Sequence, residues 1–312
     1  MAAARRLSPR LFGKEAVMAG TLYLVGTPIG NLGDMTPRAV EVLSQVDFIA
    51  AEDTRVTGKL LSHFGIAKPQ LSYFAHSSGQ RARQIVDRVA AGEHCAVVTD
   101  AGMPCISDPG EELVALCAQE GVPVQVVPGP SAAVSALALS GLPTSRFSFE
   151  GFLSTTRKNR LAHLEEVRHS RNTLIFYEAP HKLQTTLKDL LEALGDRRIS
   201  LCRELTKLHE EVIRTTLSQA VAYYEGTPPR GEFVLVVEGE TAMLQQEKPD
   251  FDSAVTLVLG RVRQGESLSA AAKAVSGDTG WKKGTLYRAA AQIQEDAEPD
   301  NAAAETKMKK EG

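Results

Sequence analysis

The chain has 312 residues, 43% of them apolar, enough to bury two ordinary cores and a small third one. Its formal net charge of −3 excludes a uniformly basic nucleic-acid binder, though not a local basic patch. No apolar run reaches bilayer-spanning length, which predicts a soluble, cytoplasmic protein without a membrane partner. Residues 1–20, MAAARRLSPRLFGKEAVMAG, carry Arg5, Arg6, Arg10 and Lys14 but no long apolar stretch; they read as a disordered basic extension, with Met18 as an alternative start. Cys95, Cys105, Cys117 and Cys202 form no C-x-x-C pair and have no His at zinc spacing, so they read as reduced thiols and no metal site is expected.

From residue 21 strands and helices alternate. LYLVG (22–26) reads as a strand, RAVEVLSQV (38–46) as a helix and FIAAE (48–52) as a strand, followed by an Arg-bearing turn and KLLSHFG (59–65). RARQIVDRVAAG (81–92) is a helix stopped at Gly92. CAVVT (95–99) leads through DAGMPCISDPG to the helix EELVALCAQEG (111–121), and VPVQVVP (122–128) turns at GPS into the helix AAVSALALSG (132–141). This predicts an αβα domain over 21–143, with a parallel sheet covered on both faces.

After Pro143 the texture changes, and residues 144–241 read as a second αβ domain. SFEGFL (148–153) precedes a charged helix, TRKNRLAHLEEVRHS; then come strand TLIFYEAP (173–180), helix HKLQTTLKDLLEALG (181–195) and strand ISLCREL (199–205). A helix near LSQAVAYYEG and the strand GEFVLVVEG (231–239) complete the unit. A polar linker over 242–252 leads to an all-helical segment over 253–293, whose helix, Gly-containing turn and second helix resemble a helix-turn-helix. Between Ala254 and Ile293 it holds Arg261, Arg263, Lys273, Lys282, Lys283 and Arg288 against Glu266 and Asp278, which makes it an RNA-binding candidate; residues 294–312 read as a disordered tail.

Three turns carry the functional signal. The first holds Gly26, Gly30 and Gly33, spaced neither as the dinucleotide fingerprint nor as a P-loop; it has no Lys, and Pro28 removes a backbone donor. DAGMPCIS (100–107) and PGPSAA (128–133) are equally small and neutral, with Asp100 the single carboxylate. Such turns at the carboxyl ends of neighbouring strands suit a nucleoside with a cationic group near Asp100, and they suit a triphosphate poorly; the plainer alternative is three tight αβ turns.

The ordered set GTPIGNLGDMTPRA, AAEDTR (50–55), VTDAGMPCISDPG (98–110), PGPSA (128–132), FYEAPHK (176–182), RELTK (203–207) and GEFVLVVEG (231–239) resembles the tetrapyrrole methylase superfamily and, within it, the ribosomal RNA small subunit methyltransferase I branch. The resemblance covers residues 20–240, and the C-terminal helices fit the same branch. It implies two αβα domains with S-adenosylmethionine in the cleft between them. It further implies 2′-O-methylation of a cytidine in the decoding region of 16S RNA on the small ribosomal subunit, by a homodimer. Positions matching the cofactor contacts are Pro28 and Ile29, then Asp100, Ala101, Gly102, Ile106 and Ser107, then Pro130, Ser131 and Ala132. From the second domain come Tyr177, Glu178 and Ala179, with Glu232 and Phe233 behind them. After His76 the chain reads SSGQ, where the branch has Asn and an acid, and Ala179 replaces a small hydroxyl residue.

A ribose hydroxyl needs its proton removed as the new bond forms, so a base is the chemical group to seek. The candidates are Glu52, Asp53, His76, Glu178 and Glu204, with Arg55, Arg203 or Lys207 to hold a phosphate or polarise the hydroxyl. Each has a structural alternative: a helix cap for Glu52, Asp53 and Arg55, a satisfied histidine for His76, an ion-pair network for Arg203, Glu204 and Lys207. Basic sets for RNA are Arg157, Lys158 and Arg160, then Arg81 and Arg83, then Lys282, Lys283 and Arg288, of which the last is favoured as the anchor. The rival functions are a methyltransferase acting on a corrinoid or porphyrin ring and a non-catalytic RNA-binding assembly factor.

Overall fold

The structure, a computed structural model, describes residues 19–74, 79–240 and 250–294. Met18, His76, the basic extension, most of the linker and the C-terminal tail lie outside the described residues.

The first sheet is wholly parallel. Its elements are β1 (Leu22–Val25), α1 (Pro37–Gln45), β2 (Phe48–Ala51), α2 (Thr54–His63), β3 (Gln70–Ser72), α3 (Gly79–Ala90), β4 (Cys95–Val98), α4 (Glu111–Glu120), β5 (Val124–Val127) and α5 (Ala132–Ser140). The strand order is β3-β2-β4-β1-β5. Every residue of β2 (FIAA) and β4 (CAVV) is buried, which is why these strands are continuous apolar runs rather than alternating ones. The pleat sends Phe48 and Ala50 to the face covered by Ile85, Val86 and Leu113, and sends Ile49 and Ala51 to the face covered by Leu43 and Leu61. α1 starts where Thr36 accepts the Ala39 N–H at 3.1 Å and Pro37 occupies the first turn.

The second sheet is mixed. Its elements are β6 (Phe147–Phe152), α6 (Arg157–Val167), β7 (Thr173–Glu178), α7 (Pro180–Leu194), β8 (Arg198–Arg203), β9 (Glu211–Thr216), α8 (Leu217–Gly226) and β10 (Phe233–Val237). The order is β6-β7-β10-β8-β9, with β6 and β7 parallel and the other pairs antiparallel. One face buries Leu164, Leu183, Leu187 and Leu217 from α6, α7 and α8. The other face is covered by α5, whose Ala133, Ala136 and Leu137 pack on Ile175, Cys202, Val234 and Val236. The sequence AAVSALALS has no polar stripe; α5 follows β5 of the first sheet in the chain and lays its buried face on the second sheet, leaving Val134 and Leu139 exposed. Accordingly the chain up to Gly239 forms one compact unit, and the residues from Glu240 form another.

Within that second unit, α9 (Phe251–Arg263), α10 (Leu268–Thr279) and α11 (283–294) close around Val255, Val258, Ala272, Val275 and Leu286. Asp250 and Ser267 cap α9 and α10, and Gly280 ends α10 in the left-handed conformation at φ 74°. Among the described residues no helix is long and apolar enough to cross a membrane.

Candidate active site

β4, β1 and β5 are neighbours in the first sheet, so the loops at their carboxyl ends converge. Thr27 and Gly102 exchange backbone hydrogen bonds at 2.9 and 3.1 Å, and the Thr27 hydroxyl donates to Thr99 O at 3.1 Å. The third loop touches the first directly: a Cβ on Gly26 would lie 2.7 Å from Gly129 Cα, and a Cβ on Gly129 would lie 2.9 Å from Gly26 Cα. Only glycine permits this approach. In the second loop Cys105 and Ser107 hold positive φ of 70° and 64°, a strained backbone of the kind found at ligand clamps.

The second sheet closes the other side. Tyr177, at the end of β7, accepts the Ala133 N–H on its hydroxyl at 3.1 Å, so it satisfies one free donor at the start of α5. Its ring meets Phe149 and Phe152 edge to face at 4.9 and 5.4 Å. After β8, Glu204 and Thr206 also take positive φ, at 51° and 64°. Glu204 accepts the Glu232 N–H at 2.9 Å and Lys207 Nζ at 3.0 Å, while Lys207 also reaches Glu232 Oε2 at 2.8 Å. A Cβ on Gly30 would strike Leu205 O at 2.9 Å, so the first loop is pressed against this corner.

Between these walls lies a cavity of about 510 Å³. Of the sequence-predicted cofactor positions, Ile29, Asp100, Ala101, Gly102, Ile106 and Ser107 line it from the first and second loops, and Ser131 and Ala132 from the third. Tyr177, Glu178, Ala179, Glu232 and Phe233 line it from the second sheet. Pro130 faces an adjoining hollow that also includes Ile29. Among the described residues the lining holds the carboxylates Glu52, Asp100, Asp108, Glu178 and Glu232 and neither Lys nor Arg. Such a lining suits an apolar ligand carrying positive charge and repels polyphosphate. An adenosyl sulfonium with an amino group fits that description.

The electrostatics follow from crowding of like charges. Burial, then Glu52, raise the pKa of Asp100. Asp108 is pushed further, to about 6, by burial first and then by Glu52, against the hydrogen bond of the Thr99 hydroxyl. Thr99 donates to Glu52 Oε2 at 2.5 Å, and the Asp100 N–H reaches the same oxygen at 3.3 Å. Asp108 and Phe152 both line the cavity without standing out in the sequence, because SDPG reads as a turn and GFL as the end of a strand. Their signal is topological: the chain brings them to the carboxylates of other loops only when folded.

The remaining candidates occupy varied places. Asp53 caps α2, accepting the Arg55 N–H at 2.8 Å, and its carboxyl is lowered to about 2 chiefly by hydrogen bonds from Arg55. Arg55 itself is 87% exposed. Glu178 is buried and both oxygens are used, one by the Ala179 N–H at 2.8 Å and one by the Thr186 hydroxyl at 2.5 Å. Arg203 pairs with Glu211 at 2.9 Å. Arg160 is 6% exposed and donates to Asp189 at 2.6 Å and to Ser154 O at 2.8 Å, so it is an internal ion pair between α6 and α7. Arg157 pairs with Asp189 and Glu192, and Lys158 is exposed. Arg83 pairs with Asp87 and Glu120, and Arg81 with Gln84. Lys282, Lys283 and Arg288 are exposed along the start of α11. Among the described residues no group of three or more His, Cys, Asp or Glu is placed to hold a metal.

Comparison with known proteins bears on this geometry. The family model of the tetrapyrrole (corrin/porphyrin) methylases matches residues 21–221. A ribosomal RNA small subunit methyltransferase I from Synechocystis is 46% identical over 280 residues, 89% of this chain and 99% of that one. A protein of the same name from Thermotoga maritima is 47% identical over 221 residues, 71% of this chain and 99% of its own length. Among solved structures, uroporphyrin-III-C-methyltransferase from Thermus thermophilus superposes with a TM-score of 0.51 at 21% identity, over 73% of this chain and 98% of that one. Diphthine synthase superposes at 0.53 and 15% identity, over 71% and 91%. These last two show a shared fold.

Proposed function

The chain belongs to the tetrapyrrole (corrin/porphyrin) methylases and, within them, to the ribosomal RNA small subunit methyltransferase I group, and we propose that it methylates the ribose 2′-oxygen of a cytidine in the decoding region of 16S RNA. Its methyl donor is S-adenosylmethionine and its acceptor class is ribosomal RNA. The observation that carries the chemistry is a cleft whose lining, among the described residues, holds five carboxylates and neither Lys nor Arg, a negative environment that favours a sulfonium. When bound, the donor supplies a methyl carbon activated by positive sulfur.

The rest is the work of this chain. The Gly26–Gly129 approach and the Thr27–Gly102 bridge fix three loops as one rigid floor, so that two partners can be held in line at low entropic cost. Tyr177, tied to Ala133, and Phe233 close the far wall and exclude water. The exposed Lys282, Lys283 and Arg288 are the proposed RNA anchor. The Thermotoga relative is matched over almost its whole length by 221 residues of this chain, which supports chemistry housed without the C-terminal helices. Removing residues 251–312 therefore weakens binding to the small subunit more than binding of the donor; equal affinity for the subunit at moderate salt would contradict the anchor. A cytoplasmic homodimer belongs to the same reading, supported by the apolar Val126, Val134 and Leu139 exposed on β5 and α5.

The deciding experiment is mass mapping of 2′-O-methyl groups on 16S RNA from a strain lacking the gene. One cytidine methyl is expected to disappear and to return with the intact gene. An unchanged methylation pattern would end the proposal.

A further inference from the structure

Four of the five carboxylates in the cleft already have work. Both oxygens of Glu178 are bonded within the second half, and Glu232 is held by Lys207. One oxygen of Glu52 takes the Thr99 hydroxyl and the Asp100 N–H, and Asp100 in turn accepts the Asp53 N–H at 3.2 Å. Asp108 differs. It shares the Thr99 hydroxyl with Glu52, and it lines the cavity half-buried beside Ser107, a residue held at φ 64°. Its carboxylate keeps acceptor capacity for a ligand.

Phe152 occupies the same end of the cleft. β6 shifts register between Phe149 and Gly151, and a Cβ on Gly151 would lie 3.4 Å from Ser107 Oγ, so the end of this strand lies against the loop that carries Asp108. The Phe152 ring is 57% exposed although it lines the cavity, and Tyr177 props it edge to face. Asp108 is close enough to Tyr177 to disturb its ionisation. An aromatic surface left open beside a carboxylate is what an extruded nucleotide needs: a plane for its base and an acceptor for its hydroxyl.

From this arrangement we infer that Asp108 takes the proton of the attacking ribose hydroxyl and that the base of the same nucleotide stacks on Phe152. The inference rests on the ribose-methylation reading above. In the step, the 2′-oxygen bonds to the methyl carbon while the carbon–sulfur bond breaks and leaves its electron pair on sulfur. The hydroxyl proton passes to a carboxylate oxygen of Asp108 and then to water. The titratable groups facing Asp108 are Glu52 from the loop after β2, Asp100 and Cys105 from its own loop after β4, and Tyr177 from β7. None is a cation. Burial and Glu52 raise the carboxyl to about 6, which leaves it ionised at neutral pH yet more basic than an exposed aspartate.

The test uses the full chain, S-adenosylmethionine and small ribosomal subunits from the deletion strain. Asp108→Asn is expected to lower single-turnover methylation at saturating S-adenosylmethionine roughly 100-fold or more. The acid limb of the wild-type rate profile, centred near the Asp108 value of about 6, should vanish in that variant. Phe152→Ala should raise KM for subunits about tenfold and leave the acid limb in place. Turnover of Asp108→Asn within threefold of wild type, or an unmoved acid limb, overturns the base assignment. An unchanged KM in Phe152→Ala overturns the stacking. A wild-type enzyme that places the methyl on a base, or labels no RNA, overturns the ribose reading itself and both assignments with it.

Discussion

Where Gly26 meets Gly129, the first half of the cleft is held by main chain against main chain; where Arg160 meets Asp189 and Lys207 meets Glu204 and Glu232, the second half is held by charge against charge. The difference tracks the sheets. A wholly parallel sheet brings three loops side by side at its carboxyl edge, and small residues let those loops lock through backbone bonds alone. A mixed sheet sends its connections to both edges, so side chains must bridge the gaps. The first half is therefore sensitive to added volume, and the second to lost charge.

The largest expected effect breaks the second half. Arg160→Ala leaves Asp189 buried with only Arg157 nearby at 3.3 Å, and should cost on the order of 3 kcal/mol of unfolding free energy, read from urea denaturation. A loss below about 1 kcal/mol would show that the pair is not holding α6 to α7. Next, Gly129→Val forces a side chain into the backbone of the first loop. Overpacking of this kind costs roughly 1–3 kcal/mol, so donor affinity should fall about ten- to a hundredfold while the second half stays folded. Unaltered donor affinity would mean that the loops are not locked.

The smallest effect sharpens the comparison by pH. Glu204 titrates below its ordinary value because it accepts the Glu232 N–H and, after that, the Lys207 ammonium. A carboxyl depressed on folding contributes stability that is present above its unfolded pKa and is lost as pH falls through the folded one. Lys207→Met should therefore lose on the order of 1 kcal/mol at pH 7 and less at pH 3, flattening the stability profile between. A loss independent of pH would assign Lys207 to packing alone.

Much of this arrangement was legible from residues. The three turns announced themselves by Gly and Pro, and the apolar runs FIAA and CAVV announced a buried parallel sheet. Three features were hidden for physical reasons. β3 (QLS) and β9 (EVIRTT) are short or half-exposed edge strands whose pairing depends on partners far along the chain. The sequence around α5 places it with the strand before it, yet its unpatterned apolar surface packs on the second sheet. Asp108 sits in a stretch whose local chemistry is that of a turn, and its perturbation arises first from burial in the folded chain and then from Glu52 on another loop. Local pattern reveals elements and loops; the convergence of charges needs the topology.

The central claim is that this cleft is built for a cationic adenosyl ligand and against polyphosphate. Isothermal titration of the full chain with S-adenosylmethionine and, separately, with ATP tests it most directly. Saturable heat with the methyl donor and none with ATP is the predicted result. Comparable binding of ATP, or silence with S-adenosylmethionine, would contradict it.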